Sequence, residues 1–144
     1  MGHMKSSPFP HGPSECFNFA LRRAARAVSR SYDEALAPLA LNNGQFSMLA
    51  ILTELGPLRI QQVAEALAMD RTTVTAALKP LQRRKLVRVN VARDDARARE
   101  VVVTPAGEAL LSEAIPLWRV QQERMKKVLA EDADALRAQL ERLG

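Results

Sequence analysis

Hydrophobic residues recur at helical spacing in the first half of the chain and predict an α-helical fold. A first helix of about 24 residues is expected from Ser14, which follows Pro13 and can act as its N-cap. A second helix is expected over residues 45–54, beginning after Asn42 and ending at Gly56-Pro57. Both helices carry enough Leu, Val, Ile and Ala to face a shared core.

The next two predicted helices are close together, and the second of them has two chemically different faces. A short helix covers about residues 61–67, and Asp70 can act as N-cap of the helix that follows. One stripe of this fourth helix is apolar and consists of Val74, Leu78 and Leu81. The opposite stripe is small, hydroxylated and basic, and consists of Thr72, Thr75, Ala76, Lys79 and Arg83. Such a stripe can enter a DNA major groove, whereas the alternative is an ordinary amphipathic helix.

Two β-prone segments follow the fourth helix and predict a hairpin. They cover residues 86–91 and 99–103, and the polar turn between them, residues 92–98, is rich in arginine. A short helix, a groove-facing helix and a hairpin with an arginine tip are the order of a winged helix-turn-helix. Arg97 at the tip suits a narrow, electronegative minor groove, and Asp95 can hold its guanidinium in place. The alternative is that these two residues form only a solvated turn pair worth under about 1 kcal/mol.

The last third of the chain predicts two more helices with exposed apolar faces. Thr104 can act as N-cap and Pro105 as first residue of a long helix, which Pro116 is expected to bend. Asp132 can cap a final helix. The apolar positions of the two helices are Leu111, Ile115, Trp118, Met125, Leu129, Leu136, Leu140 and Leu143. A chain of this size cannot bury all of these faces by itself, so a partner chain is expected, with Trp118 in the core or the interface rather than in a ligand pocket.

Composition narrows the class of protein. The 144 residues are 47% hydrophobic but only 4% aromatic, which fits one domain with an aliphatic core. No apolar run is long enough to span a membrane and no secretory leader is recognisable, so the protein is expected in the cytoplasm, or on the nucleoid when bound to DNA. The only histidines are His3 and His11, the only cysteine is Cys16, and no catalytic or metal-ligand motif occurs. We therefore expect no enzymatic activity, no catalytic residue, no metal and no cofactor.

Positive charge is concentrated in the segment that contains the fourth helix and the hairpin. Residues 71–99 include nine basic residues and two acidic ones, a local charge of +7, whereas the whole chain carries +5. The rest of the chain therefore sums to −2, and the basicity is a local patch that needs a polyanion as partner. The DNA-contacting residues expected from this patch are Arg71, Thr72, Thr73, Thr75, Lys79, Arg83, Arg93, Asp95, Arg97 and Arg99.

A set of short motifs from the second helix to the long helix resembles the MarR family of bacterial winged helix-turn-helix transcriptional regulators. The motifs are Gln45-Phe46, residues 58–67, Asp70-Arg71-Thr72-Thr73-Val74-Thr75, Leu81, Leu86-Val87, Asp95-Ala96-Arg97 and Thr104-Pro105-Ala106-Gly107. The resemblance implies a mainly α winged helix-turn-helix with about six helices and a wing sheet of two or three strands, assembled as an intertwined homodimer. It also implies a repressor that binds a palindromic operator in double-stranded DNA. Such regulators release DNA on binding a small effector, such as an aromatic acid, a phenolic or an acyl-linked compound.

The resemblance also divides the chain. Residues 14–144 form a single domain, in which residues 14–40 and 108–144 are dimerisation helices and residues 42–107 form the winged DNA-binding region. Residues 1–13 are expected to lie outside it, as a tag remnant at Met1-Gly2-His3-Met4 followed by a flexible, proline-rich arm.

Several residues depart from the family pattern, three of them in or next to the fourth helix. Ala76 stands where many relatives have arginine, which removes one expected DNA contact. Pro80 takes one hydrogen bond out of the fourth helix and is expected to kink it. Lys85 replaces a glycine that usually ends this helix, and a left-handed lysine costs about 1 kcal/mol.

Cys16 lies near the start of the first helix, as the reactive cysteine of the hydroperoxide-sensing members of this family does. A helix N-terminus favours the thiolate, so a redox-sensing repressor is an alternative to a ligand-responsive one. The tyrosines that surround such a cysteine are missing, however, since Tyr32 is the only tyrosine and lies sixteen residues away. A pocket wall or an inert small hydrophobe is the other interpretation of Cys16. A further alternative for the whole chain is an architectural or protein-interaction module without sequence-specific DNA binding.

Overall fold

The computed structural model describes residues 8–144, and the tag remnant expected at residues 1–4 lies outside them. Six α-helices and one three-stranded antiparallel sheet make up the described chain, which confirms the predicted mainly α winged-helix class. The helices are α1 (Phe17–Leu36), α2 (Asn43–Leu55), α3 (Ile60–Ala66), α4 (Arg71–Arg83), α5 (Pro105–Leu129) and α6 (Ala133–Glu141). The strands are β1 (Leu58–Arg59), β2 (Val87–Val91) and β3 (Arg99–Val103).

The first helix begins later than the sequence suggested. Ser14 lies inside a short 3₁₀ turn, Pro13–Glu15, and is not an N-cap. Cys16 occupies the N-cap position of α1 in an extended conformation, and its side chain makes no capping hydrogen bond. The prediction of a helix starting at Ser14 was therefore wrong, because the backbone is extended at Cys16 and separates the turn from the 20-residue helix. The described part of the expected flexible arm contains a turn closed by Gly12 N–H donating to the Phe9 carbonyl over 3.0 Å.

Three of the four helices that begin in the expected DNA-binding region, namely α2, α4 and α5, start at a side-chain cap on the residue that the sequence indicated. Asn42 and Gln45 form a reciprocal capping box at α2, with bonds of 2.8 and 3.0 Å. Asp70 accepts the Thr73 amide at α4, and Thr104 accepts the Gly107 amide at α5. These caps define where each helix begins.

The sheet has the strand order β1-β3-β2. The hairpin pairs Val87 with Val103 and Val91 with Arg99, close to the boundaries expected from sequence. The two-residue β1 pairs with β3 on the other edge and was not predicted, because two residues carry no periodicity.

One aliphatic core joins the winged region to α5. The predicted stripe of α4 is fully buried, since Val74, Leu78 and Leu81 are at most 1% exposed. Around it lie side chains from α2, α3, the sheet and α5, namely Met48, Leu49, Leu52, Val63, Val87, Val101, Leu111 and Ala114. Aromatic side chains are absent from this buried set, as the composition predicted.

The join between the wing and α5 is close-packed. Thr104 places its hydroxyl oxygen 2.7 Å from the Lys85 carbonyl and 3.1 Å from the Leu86 carbonyl, and its amide donates to Leu86 over 3.0 Å. A Cβ on Gly107 would lie 2.2 Å from the Leu86 carbonyl oxygen, so only glycine fits there. The Thr-Pro-Ala-Gly motif therefore fixes the base of β2 to the first turn of α5.

The structure shows how the chain accommodates two of the departures from the family pattern, Lys85 and Pro80. Lys85 adopts the left-handed conformation, with φ of 58°, as expected of a residue that replaces glycine. Helix α4 runs through Pro80 to Arg83, and α5 likewise runs through Pro116 to Leu129. Both helices therefore tolerate an internal proline without ending there.

The terminal helices bury little. Leu36 is the only buried residue of α1, and α6 has none. Asp132 occupies the N-cap position of α6 in a helical conformation, but its side chain makes no capping hydrogen bond, so the predicted cap was wrong. A 3₁₀ turn at Ala130–Asp132 connects the two helices. Because Asp132 belongs to this turn, its backbone is helical and not in the extended conformation that is typical of a side-chain cap.

Within residues 8–144 no single helix is both long and apolar enough to cross a membrane. The pair formed by Phe17–Leu39 and Asn43–Leu55 meets that criterion together, but with a bend of 75° between them.

Candidate nucleic-acid interface

The outward face of α4 is a narrow, exposed strip of short and basic side chains. Thr72, Thr75, Lys79 and Arg83 are all exposed, and Arg71 at the first turn is exposed beside them. The three basic residues of this set make no ion pair within residues 8–144. Because no aromatic or large apolar side chain stands on this strip, the helix can approach a phosphate-lined groove closely.

The threonines of α4 differ in what their hydroxyl groups do. Thr75 donates its hydroxyl to the Arg71 carbonyl over 2.9 Å, one turn back along the helix. The amide of Thr73 donates to Asp70 over 2.7 Å, and its hydroxyl also bonds this carboxylate. Thr73 is thus engaged in the helix cap through both its amide and its hydroxyl, whereas Thr72 bonds Asp70 only through its backbone amide. The structure therefore separates one capping threonine from the two that stand on the outward strip.

The cap at Asp70 has an electrostatic signature. The Thr73 amide, followed by the Thr73 hydroxyl, holds the pKa of the Asp70 carboxyl below its usual range. Asp70 therefore stays ionised at the positive end of α4. This negative charge supports the helix start that presents Arg71 and Thr72.

The wing loop presents Arg97 at its tip. The Arg97 side chain is 95% exposed, and its Nε lies 3.6 Å from Asp95 Oδ1. The same Asp95 oxygen also accepts the Arg97 backbone amide over 2.9 Å. Asp95 thus shapes the turn through the backbone and holds the guanidinium only loosely, which leaves Arg97 free to reorient towards a ligand.

The other wing residues predicted to contact DNA have different surroundings. Arg93 is exposed and makes no ion pair within the described chain. Arg99 lies on β3 and directs Nη1 towards the carbonyls of Ala96 and Ala98, at 3.3 and 3.4 Å. Arg99 therefore also supports the loop, while Arg93 and Arg97 extend from it.

Two arginines that the sequence did not single out hold the interface in place. Arg59 on β1 pairs with Asp94 and so ties the wing loop to the far edge of the sheet. Arg84, just after α4, donates from Nη1 to the Ala40 carbonyl over 2.7 Å and from Nη2 to the Leu39 carbonyl over 3.1 Å. The sequence separations are 35 and 44 or 45 residues, so no local pattern could have indicated either contact.

A cavity of about 240 Å³ lies between α1, α2 and α5, away from the basic strip. Trp118 lines it and stacks on Phe46, with ring centroids 6.0 Å apart and planes inclined by 18°. The sequence favoured the core or an interface for Trp118 over a ligand pocket, and that preference stays a prediction. The gap that α2 and α5 leave beside this ring pair was not indicated by the sequence, because helical periodicity cannot show such a gap.

A larger apolar groove of about 440 Å³ runs along α1, α5 and α6. Its lining is mostly aliphatic, including Leu21, Met125, Leu129, Leu136 and Leu140. The cavity and the groove share the side chains of Val28, Tyr32 and Gln122. Tyr32 donates its hydroxyl to Gln122 Oε1, and burial raises the pKa of that hydroxyl, so it remains a protonated donor at neutral pH.

Cys16 is exposed at the start of α1. Tyr32 lies near the other end of the same helix and is bonded to α5, so within one chain the two residues are not brought together. A redox role for Cys16 stays a prediction.

Comparison with known proteins identifies the family. The sequence model of the MarR family matches residues 41–98, the segment from the start of α2 to the wing loop. The crystal structure of the Mycobacterium tuberculosis transcriptional regulator MosR in complex with DNA is 35% identical, has a TM-score of 0.78, and the match covers 89% of this chain and 92% of that one. A structure describing regulation of DNA binding of Bordetella bronchiseptica BpsR by 6-hydroxynicotinic acid is 28% identical with a TM-score of 0.81, covering 93% and 96% of the two chains.

A sequence relative gives the same answer. The HTH-type transcriptional repressor NicR of Pseudomonas putida is 28% identical over 110 residues, which cover 76% of this chain and 70% of NicR. The family and these relatives are transcriptional regulators rather than enzymes. On the strength of its winged helix, its basic strip and these matches, the chain belongs to the MarR family of DNA-binding transcriptional regulators.

Proposed function

We propose that this regulator is a ligand-responsive repressor that binds a palindromic operator as a homodimer. The observation that supports this most is the pairing of an exposed basic strip on α4 with an almost fully exposed arginine at the wing tip. In each half-site, α4 enters a major groove and the wing loop reaches the adjacent minor groove. The two α4 helices then lie in successive major grooves, with half-site centres about 10 base pairs apart.

The proposed DNA contacts fall into two groups. Thr72, Thr75 and Lys79 stand where base edges or phosphates are reached, and Arg71 and Arg83 flank them. The wing contributes Arg93 and Arg97. Thr73, Asp95 and Arg99, which the sequence also assigned to DNA binding, take part in the α4 cap and the loop bonds as well, and their contact with DNA stays a prediction.

The proposed dimer interface is the apolar groove of α1, α5 and α6. Its exposed continuation includes Phe17, Val128 and Leu143, which are 85%, 79% and 71% exposed in the single chain. Covering such side chains on both subunits supplies the apolar burial that a homodimer needs. The single domain over residues 14–144 is then completed by a second copy, with residues 14–40 and 108–144 in the interface and residues 42–107 bound to DNA.

The proposed effector site is the cavity beside Trp118. BpsR is regulated by 6-hydroxynicotinic acid according to its structure's description, and a small aromatic ligand of that size suits this cavity. A ligand there contacts Val28, Tyr32 and Gln122, which also line the groove. Ligand binding thereby favours a dimer whose two α4 helices no longer match the operator spacing, and the regulator dissociates.

The experiment that tests this proposal is a fluorescence anisotropy titration with DNA from around the start of the protein's own gene. The titration is run with and without competitor DNA across a salt series. Tight binding that survives competitor is the expected result. Binding that competitor abolishes would instead favour an architectural module, and no binding to any DNA tested would contradict the repressor function.

A further inference from the structure

We infer that the cavity beside Trp118 selects an uncharged, planar ligand of about one aromatic ring and discriminates against carboxylates. This inference rests on the proposed effector role of the cavity and adds the chemical class of the ligand. At about 240 Å³, the cavity is smaller than the roughly 300 Å³ at which drug-sized sites begin. A single ring with one or two small substituents is therefore the ligand size that fits.

An aromatic pair in the lining explains the preference for a planar ligand. Phe46 and Trp118 are stacked within 18° of parallel, and both rings line the cavity. Val28 and Leu36 add aliphatic side chains to the lining. A planar ring can stack on such a surface and bury most of its apolar area there.

The polar lining explains the preference for an uncharged ligand. All the polar residues that line the cavity are neutral hydroxyl or amide side chains: Ser29, Tyr32, Asn43, Ser47 and Gln122. Neither lysine nor arginine is among the described residues that line the cavity itself, and Lys126 and Arg137 belong to the lining of the adjoining groove. A carboxylate held within the cavity would therefore lose hydration without gaining a cationic partner in the cavity lining.

A carboxylate of the protein, that of Asp33, is bonded to one of the residues that line the cavity. Asp33 Oδ1 accepts both the backbone amide and the side-chain amide of Asn43, each over 2.7 Å. The backbone amide of Asn43 and one of its two side-chain N–H groups are thus occupied by Asp33. The negative charge of Asp33 further disfavours a second carboxylate close by.

The matching ligand groups are neutral hydrogen-bonding groups. The hydroxyl of Tyr32 donates to Gln122 Oε1, which leaves the Gln122 amide hydrogens for an acceptor on the ligand. Ser29 and Ser47 can each donate or accept. A ring that carries a carboxamide, a hydroxyl or a ring lactam meets these groups without requiring a counter-ion.

The test compares matched pairs of ligands that differ only in charge. Benzamide and benzoate, salicylamide and salicylate, and 6-hydroxynicotinamide and 6-hydroxynicotinate are titrated into the full-length protein without DNA. Binding is followed by calorimetry and by the fluorescence of Trp118, which is the only tryptophan of the chain and lies in the cavity wall. We expect the neutral member of at least one pair to bind about tenfold or more tightly than its carboxylate.

A charge-introducing variant provides the control. Ser47→Lys places a cation in the lining and is expected to shift the preference towards the carboxylate, whereas Ser47→Ala keeps the preference for the neutral ligand. Equal or tighter carboxylate binding by the wild-type protein would overturn the inference, and so would failure of all six compounds to bind. Because DNA is absent, these results stand apart from the test of operator binding. Neutral ligands that bind but do not release DNA would contradict only the proposed regulation.

A separate observation carries a second inference: the structure assigns Arg84 a positioning role for α4, although it belongs to the basic patch. Its guanidinium bonds the Leu39 and Ala40 carbonyls, and we call this contact the Arg84 bridge. Arg84 is the first residue after α4, so the bridge connects the end of the proposed DNA-reading helix to the turn between α1 and α2. This inference rests on the proposed DNA binding by α4.

The opposite side of the same segment is also fixed. The carbonyl of Lys85, the next residue, lies 2.7 Å from the Thr104 hydroxyl at the start of α5. The end of α4 is therefore held between the α1–α2 turn of the proposed dimerisation region and Thr104, the residue that precedes α5. Leu36 and Asn43, which flank the bridged turn, line the cavity. A ligand bound in the cavity can therefore affect the Arg84 bridge through this one short segment.

The Arg84 bridge differs from a phosphate contact in measurable ways. Arg83→Ala removes an exposed arginine of the outward strip and is expected to lower the salt slope of operator binding by about one unit. Arg84→Ala is expected to weaken binding about fivefold or more with an unchanged salt slope. It should also reduce the preference for the natural operator over one with a single base pair inserted at its centre.

Arg84→Lys decides between the two roles. Lysine keeps the positive charge but cannot donate to two carbonyls in the fixed geometry of a guanidinium, so we expect it to behave like Arg84→Ala. Restored affinity in Arg84→Lys, or a lowered salt slope in Arg84→Ala, would make Arg84 a phosphate contact and overturn the inference. Unchanged affinity and spacing preference in Arg84→Ala would do so as well. A wild-type protein that binds no DNA would instead contradict the proposed function.

Discussion

The winged region and the terminal helices of this chain reach their structures in different ways. In the winged region, α4 buries three consecutive stripe positions, and its start is fixed by a formed cap at Asp70. The terminal helix α6 buries nothing and lacks a side-chain cap, and α1 buries only Leu36. The first region satisfies its apolar face within one chain, whereas the second leaves apolar side chains on the surface.

This difference indicates where each region obtains its stability. The core of α2, α3, α4 and the sheet is complete in the monomer, so its structure is expected to persist without a partner. The faces of α1 and α6 gain their burial only on assembly, which makes the terminal region sensitive to subunit concentration. If the two regions differ in this way, substitutions at their join, in the terminal helices and in the winged region should have effects of different kinds.

The largest effect is expected at Gly107, where α5 meets the wing. Gly107→Ala would place a Cβ 2.2 Å from the Leu86 carbonyl oxygen and 2.8 Å from Val103 Cγ2. We expect a loss of about 3 kcal/mol in the free energy of unfolding, because the backbone must shift to relieve the contact. Urea denaturation followed by circular dichroism measures it.

Gly44→Ala is the matched control for this substitution. Its Cβ would meet only Asn42 Oδ1 at 3.4 Å, in the first turn of α2. We expect an unchanged or slightly higher stability, because alanine is the better helix former. Equal effects of the two substitutions would show that the join at Gly107 is less tightly packed than the geometry indicates.

The next effect concerns assembly. Leu136→Asp places a charge in the apolar groove, which we propose as the dimer interface. We expect sedimentation velocity to show monomers and operator affinity to fall about 100-fold, because two linked half-site contacts become independent. The winged region should keep its fold, with little change in circular dichroism.

Gln139→Asp tests whether this effect is specific to the groove. Gln139 lies on the same helix, is exposed and is not part of the groove lining. The Gln139→Asp substitution introduces the same charge and should leave the dimer intact. A Leu136→Asp protein that remains dimeric would contradict the assignment of the groove as the interface.

A smaller effect is expected at the wing tip. Arg97→Ala removes a side chain that is 95% exposed and only loosely paired with Asp95. We expect operator affinity to fall about tenfold and the salt slope to drop by about one unit, with no change in stability. Anisotropy titrations over a salt series measure both, and Arg124→Ala on α5 serves as the control because it removes an equal charge far along the chain from the wing. Unchanged Arg97→Ala affinity would remove the wing from the mechanism.

The smallest effect compares two aspartates that precede helices. Asp70 is hydrogen-bonded to Thr73 and its pKa is lowered, whereas Asp132 makes no capping bond. A lowered folded-state pKa means that Asp70 stabilises the fold above its unfolded-state pKa of about 4, and that this stabilisation is lost as pH falls through the lower folded-state value. Asp70→Ala should therefore be less stable than wild type at neutral pH, and the difference should shrink in strong acid.

Asp132→Ala is the corresponding control in the terminal region. Urea denaturation between neutral pH and about pH 3 should show a smaller difference from wild type than Asp70→Ala does. An equal loss in both variants would contradict the comparison between capped and uncapped helices.

The parts of the fold that the sequence predicted correctly depend on neighbours within one helical turn or one hairpin. The caps at Asn42, Asp70 and Thr104 each join residues three positions apart, and the stripe on α4 follows helical periodicity. The late start of α1 was missed because Ser14 and Cys16 are both acceptable ahead of a helix, and only the backbone conformation shows which is used. The predicted cap at Asp132 was wrong for the same reason, because a suitable residue type does not ensure capping geometry.

In the candidate interface, too, some features followed from the sequence and others only from the tertiary structure. The sequence by itself determined the family, the winged-helix order, the basic patch and the exposed strip of α4, because these follow from composition and local spacing. Only the tertiary structure decided which basic residues extend outward and which are held within the chain. The tertiary structure also brings Trp118 onto Phe46 and Tyr32 onto Gln122. The residues of these two pairs are 72 and 90 positions apart in the sequence. Such contacts depend on the angles and gaps at which helices pack, and these arise from many side chains together rather than from any local pattern.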